Sequence, residues 1–414
     1  MSEAQTDTDF WNGLYQSAAS DAPIYAANAP VVLGLSNACV DAICRLKDLS
    51  EIAPDSGSEA AKAFFETLLA RASMGKGGEI RSHWADGPRW LRDRLPVQRA
   101  IGGTGPQAAW ALSAIGAPAL VALGKRYEGL LTILPAGVHL ALEQEMVEGR
   151  FLSPTAPPEP EIFIFEFSAG ETIAAKPIPR SSRIIVRFDD PGLERDREFE
   201  HFSANLRQKT VALVGGLGSV PVDRISNELA YLEPLTATWR ANGIQLLHLE
   251  LGGYCDKDAL ASVLDRANVI ATSIGMSAAE FPDVSGDSAA TPETMLACAT
   301  RLGVTRLCVH ADEWAASVSR NAANAERDAL IFASLLAAAR AERGQPTSVV
   351  SLPVGARFHD PPFASRTLPG GWTYVSVATP YLQRPRATIG LGDTFSAGCL
   401  MVLGQRQAVK STRN

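Results

Sequence analysis

Apolar runs alternate with amphipathic segments throughout the second half of the chain. The runs that predict strands are Val211–Val214, Ile244–Leu249, Val269–Thr272, Arg306–His310 and Ser348–Leu352. The segments with helical spacing are Ile225–Ala241, Ala259–Arg266, Pro292–Leu302 and Asn321–Arg343. Nearly continuous apolar strands between helices are typical of a parallel sheet that helices cover on both faces. This half of the chain therefore predicts an α/β fold with a central, mostly parallel sheet.

The first half of the chain does not continue this alternation. A strand is predicted at Val31–Leu35, and a turn with a helix at Gly102–Ile115 precedes a strand near Leu120–Leu123. Two extended runs, Glu161–Phe167 and Ser182–Phe188, are joined through a turn containing SAGET, which favours an antiparallel pair. This change of pattern predicts a second, smaller domain.

We predict the domain boundaries from this change. Residues 1–36, 110–158 and 192–414 are assigned to a large α/β domain, and residues 37–109 and 159–191 to a smaller α+β lid. Ligands of α/β sheets bind at the carboxyl ends of the strands, and a lid at that edge closes over them. The ligand site is therefore expected between the two domains.

Composition narrows the class of protein. The chain has 414 residues, of which 46% are hydrophobic and 20% are charged, as in globular proteins with a substantial core. The 38 Lys and Arg residues against 45 Asp and Glu give a net charge of −7, which argues against nucleic acid or an anionic membrane as the main partner. The polar, acidic start and the scattered cysteines lead us to expect a cytoplasmic protein with reduced thiols.

One carboxylate near the C-terminus, Asp393, lies in the glycine-rich run RATIGLGDTFSAG. Ala387–Ile389 predicts the end of a strand, Gly390 and Gly392 a tight turn, and Thr394–Leu403 a helix. Backbone N–H groups and the positive end of the helix dipole converge at such a turn and hold phosphate oxygens, and Asp393 would take a proton from a hydroxyl there. The alternative is a helix that Asp or Thr merely caps after a turn.

Four further segments accompany this turn in a fixed order. They are IFEFSAGE from Ile164, RSSRIIVRFDD from Arg180, HLELGG from His248 and TSIGMSAAEF from Thr272. The turn itself looks like the signature of the ribokinase superfamily. Together the five segments resemble the ADP-dependent glucokinase and phosphofructokinase family, with similarity from about Asn37 to the C-terminus.

The resemblance implies a ribokinase-like three-layer α/β sandwich with a smaller α+β lid. It also implies that the β-phosphoryl group of ADP is transferred to a sugar hydroxyl with Mg²⁺. By the same resemblance Asp393 is the general base, and the backbone of Gly390, Leu391 and Gly392 lines the anion hole. Small-molecule sugar and ADP are then the expected partners.

The resemblance further implies nucleotide and metal contacts. Nucleotide contacts are expected from Arg183, His248 and Thr388, and Mg²⁺ contacts from Glu250 and Glu280. The motif at Glu280 departs from the family because Ser277 replaces an asparagine. Simpler interpretations remain for each group: a polar strand end, a solvated strand arginine, or a glutamate that starts a helix. A zinc site that joins His248 and Glu250 to Cys308 or His310 lacks supporting ligand spacing.

Sugar contacts are implied for residues of the predicted lid. They are Asn37, Asp41, Glu79, Gly102, Gly103 and Gln107. An amide and a carboxylate suit sugar hydroxyls, which need both donors and acceptors. Alternatively, Asp41 caps a helix that runs to Cys44, and Glu79 is an exposed loop residue. Glu79 slightly favours glucose over fructose 6-phosphate, although Ile162 and Cys39 replace polar residues of the family pattern.

Three other functions remain open at this stage. A sensor that keeps the fold without turnover is suggested by Ser277 and Ile162, whereas the intact Asp393 argues against it. An ATP-using carbohydrate kinase would have the same glycine turn. The run from Gly103 to Ala108 also fits the G-x-G-x-x-A fingerprint of a dinucleotide-dependent oxidoreductase, with Glu128 downstream as its ribose contact, but that fingerprint is common by chance.

Overall fold

Two β-sheets organise the chain, one of eleven strands and one of five, beside a two-stranded ribbon. The computed structural model describes residues 3–156, 161–189, 192–206 and 208–405. The strands are β1 Val31–Leu35, β2 Cys39–Arg45, β3 Gly78–Arg81, β4 Gln98–Gly102, β5 Ala119–Val121, β6 His139–Leu142, β7 Glu145–Glu148, β8 Glu161–Phe167, β9 Thr172–Ile173, β10 Lys176–Pro177, β11 Ser182–Arg187, β12 Thr210–Val214, β13 Leu247–Glu250, β14 Ser273–Ser277, β15 Arg306–His310, β16 Trp314–Ser319, β17 Arg366–Leu368 and β18 Trp372–Ala378.

Helices connect and cover these strands. They are α1 Glu3–Ala27, α2 Leu46–Ile52, α3 Glu59–Ser73, α4 Gly87–Arg92, α5 Thr104–Ala114, α6 Glu128–Ile133, α7 Arg197–Asn205, α8 Val222–Ala241, α9 Lys257–Asp265, α10 Ala267–Ile270, α11 Phe281–Ser285, α12 Pro292–Leu302, α13 Ala323–Arg343 and α14 Leu391–Gln405. None of these described helices is long and apolar enough to cross a bilayer.

The large sheet is parallel in its centre and antiparallel at both ends. Its strand order is β17-β18-β16-β15-β14-β13-β12-β1-β5-β6-β7, and the run from β15 to β6 is parallel throughout. One apolar cluster packs α7, α8, α9 and α12 on one face, and a second packs α1, α5, α13 and α14 on the other. The predicted three-layer α/β fold with a mostly parallel sheet is therefore confirmed.

The small sheet has the order β3-β11-β8-β2-β4 and is covered by helices on one face. Side chains alternate along β8, so Phe163, Phe165 and Phe167 pack under α2, α3 and α4 while Glu166 points to the other face. β8 and β11 form the predicted antiparallel pair, with Ser182 opposite Phe167. All five strands fall within residues 37–109 and 159–191. The domain boundaries themselves stay a prediction.

Three predicted strands are wrong. At Val269–Thr272 the chain forms the end of α10, and the strand begins only at Ser273. Ser348–Leu352 forms no strand. Ala387–Ile389 is a loop whose Thr388 N–H donates to a side chain of the small sheet instead of a strand. A short apolar run does not distinguish these cases.

Two alternatives from the sequence are also wrong. Asp41 caps no helix, because Cys39–Arg45 is a strand that pairs with both β4 and β8. The G-x-G-x-x-A run at Gly103 does follow a strand and open a helix, but β4 pairs antiparallel with β2 in the small sheet. It therefore lacks the parallel βαβ setting of a dinucleotide fingerprint.

Candidate active site

The glycine turn leads directly into α14. Gly390 has φ +70, a left-handed conformation that favours glycine, and Leu391 is the first residue of the helix. The carbonyl of Gly390 accepts from the N–H of Thr394 at 3.0 Å and from its hydroxyl at 2.8 Å. This closes the turn and leaves the first N–H groups of α14 without intrahelical acceptors, which is the arrangement that holds anions.

Asp393 lies in the first turn of α14 and is partly exposed. Loss of hydration raises the pKa of its carboxyl, and the negative charge of Glu250 acts in the same direction. The positive charges of Arg340 and Arg183 and a hydrogen bond with Thr104 oppose that rise in pKa. The net rise in pKa makes this carboxyl a stronger proton acceptor than an exposed aspartate.

Glu250 ends β13 and is held by three donors. Its Oε2 accepts from Nε2 of His248 at 3.1 Å and from Oγ of Ser396 at 2.8 Å, and its Oε1 accepts from Nε2 of His310 at 3.2 Å. Burial alone would raise the pKa of this carboxyl, but the hydrogen bonds from His248 and His310 lower it below its usual range. Glu250 is therefore a fixed carboxylate at neutral pH.

The two histidines around Glu250 differ in charge. Burial lowers the pKa of His248, whose Nδ1 lies 2.8 Å from Oγ of Ser273. Burial acts in the same direction on His310, but the hydrogen bond and charge of Glu250 outweigh it and raise its pKa to about 9. His248 is neutral at pH 7 and has both ring nitrogens engaged by protein groups, so the structure offers a nucleotide no free nitrogen on it. His310 is a cation.

Glu280 directly precedes α11, and its Oε2 accepts from the N–H of Ser277 at 2.7 Å. Burial raises the pKa of its carboxyl, and the negative charge of Glu250 raises it further. The two carboxylates predicted for Mg²⁺ therefore lie within electrostatic reach of each other. Within the described ranges, no group of three or more His, Cys, Asp or Glu side chains has the arrangement of a metal centre.

The residues predicted to bind sugar converge from different elements. Nε2 of Gln107, on α5, lies 3.5 Å from Oδ2 of Asp41, on β2. Asn37 is 2% exposed, and its Nδ2 has no hydrogen-bond partner among the described residues. Burial raises the pKa of Asp41 to about 7; the charge of Arg187 opposes this and that of Asp393 adds to it. The result is a buried polar cluster with an unused donor.

Gly102 and Gly103 permit this convergence. A methyl group at Gly102 would lie 2.2 Å from Oδ1 of Asp41, and one at Gly103 would lie 2.0 Å from the carbonyl oxygen of Asn37. Gly103 also has φ +94. Only glycine allows the β4–α5 turn to approach Asn37 and Asp41 this closely.

We expect Gly103→Ala to destabilise the protein by about 1–3 kcal/mol, because it combines an unfavourable φ with a backbone clash. The matched control is Gly116→Ala, where φ is +80 and no atom lies within 4 Å of the added methyl group. Urea unfolding of both variants measures the difference. Equal losses of stability in the two variants would contradict the role assigned to the close approach.

Glu79 lies on β3 and is ion-paired, so its interpretation as an exposed loop residue is wrong. Nε of Arg187 donates to its Oε2 at 2.7 Å and Nη2 to its Oε1 at 3.1 Å. Glu79 on β3 and Arg187 on β11 belong to neighbouring strands of the small sheet, in which Glu79 pairs with Ile185. Arg187 is 7% exposed, so this ion pair is largely withdrawn from solvent.

Arg183 and Thr388 are both neighbours of Glu166, a residue to which the sequence analysis gave no role. Glu166 lies directly opposite Arg183 across the β8–β11 pair. Its Oε1 accepts from both the N–H and the hydroxyl of Thr388 at 3.2 Å. Arg183 is partly buried, and its charge acts on both Asp393 and Arg340. The small sheet therefore contacts the loop that enters the glycine turn.

Sequence reasoning missed Arg340, a buried residue of α13 that bonds both α5 and α14. It belongs to no motif. The available signal is an arginine inside the alanine-rich run LLAAARAE of a helix predicted to pack on the sheet. An arginine at such a position is almost never fully buried unless other groups pair with its guanidinium.

We expect stability to fall with rising pH because of Asp41. Its folded pKa of about 7 exceeds the ordinary aspartate value of 3.8, so between these values the folded state keeps a proton that the unfolded state has released. The loss is at most about 1.4 kcal/mol per pH unit. Asp41→Asn removes it, so the variant should gain stability relative to wild type between pH 4 and pH 7 in urea titrations. Glu194, also with a pKa of about 7, is present in both proteins. If the stabilities of wild type and Asp41→Asn change in parallel with pH, Asp41 is not the source of the pH dependence.

Solved structures share the fold of this chain along nearly its whole length. An ADP-dependent kinase in complex with fructose 6-phosphate and ADPβS has a TM-score of 0.79 at 18% identity, covering 97% of this chain and 99% of the other. The last common ancestor of ADP-dependent phosphofructokinases from Methanosarcinales has a TM-score of 0.71 at 17% identity, with 97% and 99% covered. The fold is thus one that solved ADP-dependent kinases adopt.

A family model identifies the chain more closely. The ADP-specific phosphofructokinase/glucokinase conserved region matches residues 30–359, so the chain belongs to that family and the resemblance is confirmed. The ADP-dependent glucose/glucosamine kinase of Pyrococcus furiosus is 23% identical over 274 residues, 58% of this chain and 60% of that protein. That of Pyrococcus abyssi is 23% identical over 283 residues, with the same shares. The match thus spans about 60% of these curated relatives.

Proposed function

We propose that this protein is an ADP-dependent sugar kinase, which transfers the β-phosphoryl group of ADP to a hydroxyl of a hexose. The observation that carries the proposal is the position of Asp393, in the first turn of α14, beside the Gly390 turn and within electrostatic reach of Asp41. Phosphoryl transfer to a hydroxyl requires a base next to donors that stabilise the phosphoryl charge. Family membership supports ADP as the donor.

In this proposal the chain supplies a base and a positively polarised turn. Asp393 accepts the proton of the sugar hydroxyl as that oxygen attacks the β-phosphorus, and AMP leaves. The N–H groups at Leu391 and Gly392 and the dipole of α14 stabilise the negative charge on the phosphoryl oxygens. Arg183, whose charge already acts on Asp393, adds a guanidinium suited to phosphate oxygens.

Glu250 and Glu280 are the residues that we propose to hold Mg²⁺. Carboxylate oxygens suit this ion. Burial and, to a smaller extent, the charge of Glu250 raise the pKa of Glu280, and a divalent cation would offset both effects. When bound, Mg²⁺ would neutralise charge on the donor phosphates. His248, His310 and Ser396 orient Glu250 through their hydrogen bonds, so His248 would act through that carboxylate.

We propose a neutral hexose, with glucose favoured over fructose 6-phosphate. Asp41, Gln107 and the unpartnered amide of Asn37 offer the mixed acceptors and donors that hydroxyls need. The nearby cation Arg187 is neutralised by the bidentate pair with Glu79. A sugar phosphate bound there would meet the carboxylate of Glu79 rather than an unpaired arginine, and like charges repel.

A phosphoryl-transfer assay tests the proposal. ADP and ATP are each supplied with Mg²⁺ and with glucose, glucosamine or fructose 6-phosphate, and AMP and sugar phosphate are measured directly. AMP formation that depends on glucose is the expected result. Turnover with ATP alone would overturn the donor, and turnover with fructose 6-phosphate alone would overturn the acceptor. Binding of ADP without product from any sugar would favour the sensor.

A further inference from the structure

Arg340 is a buried cation with no ion-pair partner beside the glycine turn. It is 2% exposed, and no carboxylate oxygen of the described residues lies within 4.0 Å of its guanidinium nitrogens. Arg306, equally buried, shows the usual solution, because its Nε lies 3.0 Å from Oε2 of Glu326. The carboxylates of Asp393 and Asp41 favour this cation only from beyond ion-pair distance, and burying a charge without a directly contacting counter-ion costs stability. An arginine kept in this state therefore calls for a functional explanation.

One guanidinium joins the two halves of the candidate site. Nη2 of Arg340 donates to Oε1 of Gln107 on α5 at 2.6 Å, and Nη1 donates to Oγ1 of Thr394 on α14 at 2.9 Å. The same group lies directly behind the turn, since a methyl group at Gly390 would be 2.3 Å from Nη2. The planar fork of arginine allows both bonds at once, which the ammonium of lysine does not reproduce.

These bonds determine which way the bonded side chains face. Arginine only donates, so Gln107 must present Oε1 to it, and Nε2 is then turned toward Asp41 and the carbonyl of Ile101. Thr394 accepts from Arg340 and therefore directs its own hydroxyl hydrogen to the carbonyl of Gly390. The orientation of a predicted sugar contact and the closure of the turn thus depend on one cation.

We propose that Arg340 is a positioning residue that couples the acceptor site to the transfer turn and supplies a buried positive charge beneath it. This inference rests on the proposed kinase function. The charged groups that face Asp393 come from four elements: Arg340 from α13, Arg183 from β11, Glu250 from β13 and Asp41 from β2. The two arginines favour an anion at the turn and the carboxylate form of Asp393, whereas Glu250 and Asp41 oppose both.

Arg340→Met and Arg340→Lys test the inference against the wild type in the same assay. In Arg340→Met, we expect kcat to fall about 100-fold, as for a misplaced reacting group, and KM for the sugar to rise. We also expect the acidic limb of the pH–rate profile to move to higher pH, because the cation that favours ionised Asp393 is gone. Arg340→Lys keeps the charge, so the limb should stay in place while kcat remains low.

Two further variants each remove one hydrogen bond of the Arg340 guanidinium. They keep the inference testable if Arg340→Met does not fold. Gln107→Leu should reproduce the rise in sugar KM without moving the pH limb, and its effect on KM should not add to that of Arg340→Met. Thr394→Val removes the other bond at nearly constant volume and should lower kcat mainly.

Three results would overturn the inference. The first is unchanged kcat, KM and pH profile in folded Arg340→Met. The second is a loss of activity that follows thermal stability alone, with the pH limb in place and additive effects on KM, which would mean a merely structural arginine. The third is a wild type without ADP-dependent sugar phosphorylation, which would remove the proposed function as well. If the wild type turns over and Arg340→Met has the same kcat, KM and pH profile, only this inference fails and the proposed kinase function stands.

Discussion

Replacing Asp393 with asparagine is expected to reduce phosphoryl transfer by about 10²- to 10⁴-fold, the usual contribution of a positioned general base. The amide is close in size to the carboxylate, and the turn at Gly390 is closed by Thr394 rather than by Asp393. ADP should therefore still bind. Steady-state AMP formation and titration calorimetry with ADP measure the two quantities separately.

The matched control for this variant is Asp258→Asn. Asp258 is also an aspartate in the first turn of a helix, α9, but it is exposed. We expect its loss to leave turnover unchanged, because only the helix-dipole interaction of a few tenths of a kcal/mol is removed. Turnover of Asp393→Asn close to that of Asp258→Asn would eliminate Asp393 as the base. A loss of ADP binding together with turnover would instead make it a structural residue of the turn.

Glu326→Ala is expected to destabilise the protein by about 3–5 kcal/mol, because it leaves the guanidinium of Arg306 buried without its counter-ion. Glu326 is 0% exposed, and its carboxylate accepts from Arg306, from Ser317 at 2.8 Å and from Asn321 at 2.7 Å. The pair ties β15 to the start of α13, between the sheet and the helix that carries Arg340. Guanidinium-induced unfolding monitored by tryptophan fluorescence gives the free energy.

Two controls distinguish the cost of an uncompensated buried charge from the cost of lost packing. Arg306→Met combined with Glu326→Leu removes both charges and should recover most of the stability lost in Glu326→Ala. Asp283→Ala breaks an exposed pair with Lys257, 3.6 Å apart, and should change stability by less than about 1 kcal/mol. A double variant as unstable as Glu326→Ala would show that the loss does not arise from the uncompensated arginine.

The pH dependence of this pair follows from the direction of the pKa shift. Burial would raise the pKa of the Glu326 carboxyl, but Arg306 and the hydrogen bonds from Asn321 and Ser317 lower it below the ordinary glutamate value of 4.5. A depressed folded pKa contributes stability above the unfolded value, and this contribution is lost as pH falls through the folded pKa. The stability lost in Glu326→Ala should therefore shrink in acid and grow toward neutral pH, whereas over a rise in pH Asp41→Asn should gain stability relative to wild type.

Elements with a strong local signal were predicted well. Val31–Leu35, Pro292–Leu302 and Arg306–His310 have the predicted boundaries, because apolar runs bounded by turn residues and a Thr-Pro helix start are local signals. The strand predicted at Val269–Thr272 lies too early in the chain, since β14 begins at Ser273, and Ser348–Leu352 forms no strand. A short apolar run does not by itself distinguish a strand from a short helix or a loop.

The candidate site divides in the same way. Asp393 at the start of a helix behind a left-handed glycine is a local arrangement that the run GLGDTF specifies. The partners of Glu79 and Thr388 are not local, because Arg187 lies 108 residues from Glu79 and Glu166 lies 222 residues from Thr388. No spacing rule links such pairs, so the sequence analysis assigned no role to Arg187 or Glu166.

The sequence by itself determined the α/β fold, the family resemblance and the glycine turn with its carboxylate, because periodicity and backbone conformation depend on neighbouring residues. Only the tertiary structure decided the charge state and alignment of the site. Arg340 and Gln107 are separated by 233 residues, and Ser396 and Glu250 by 146. Burial and the approach of such distant groups set their pKa values and orientations, and both arise only when the sheets and helices pack.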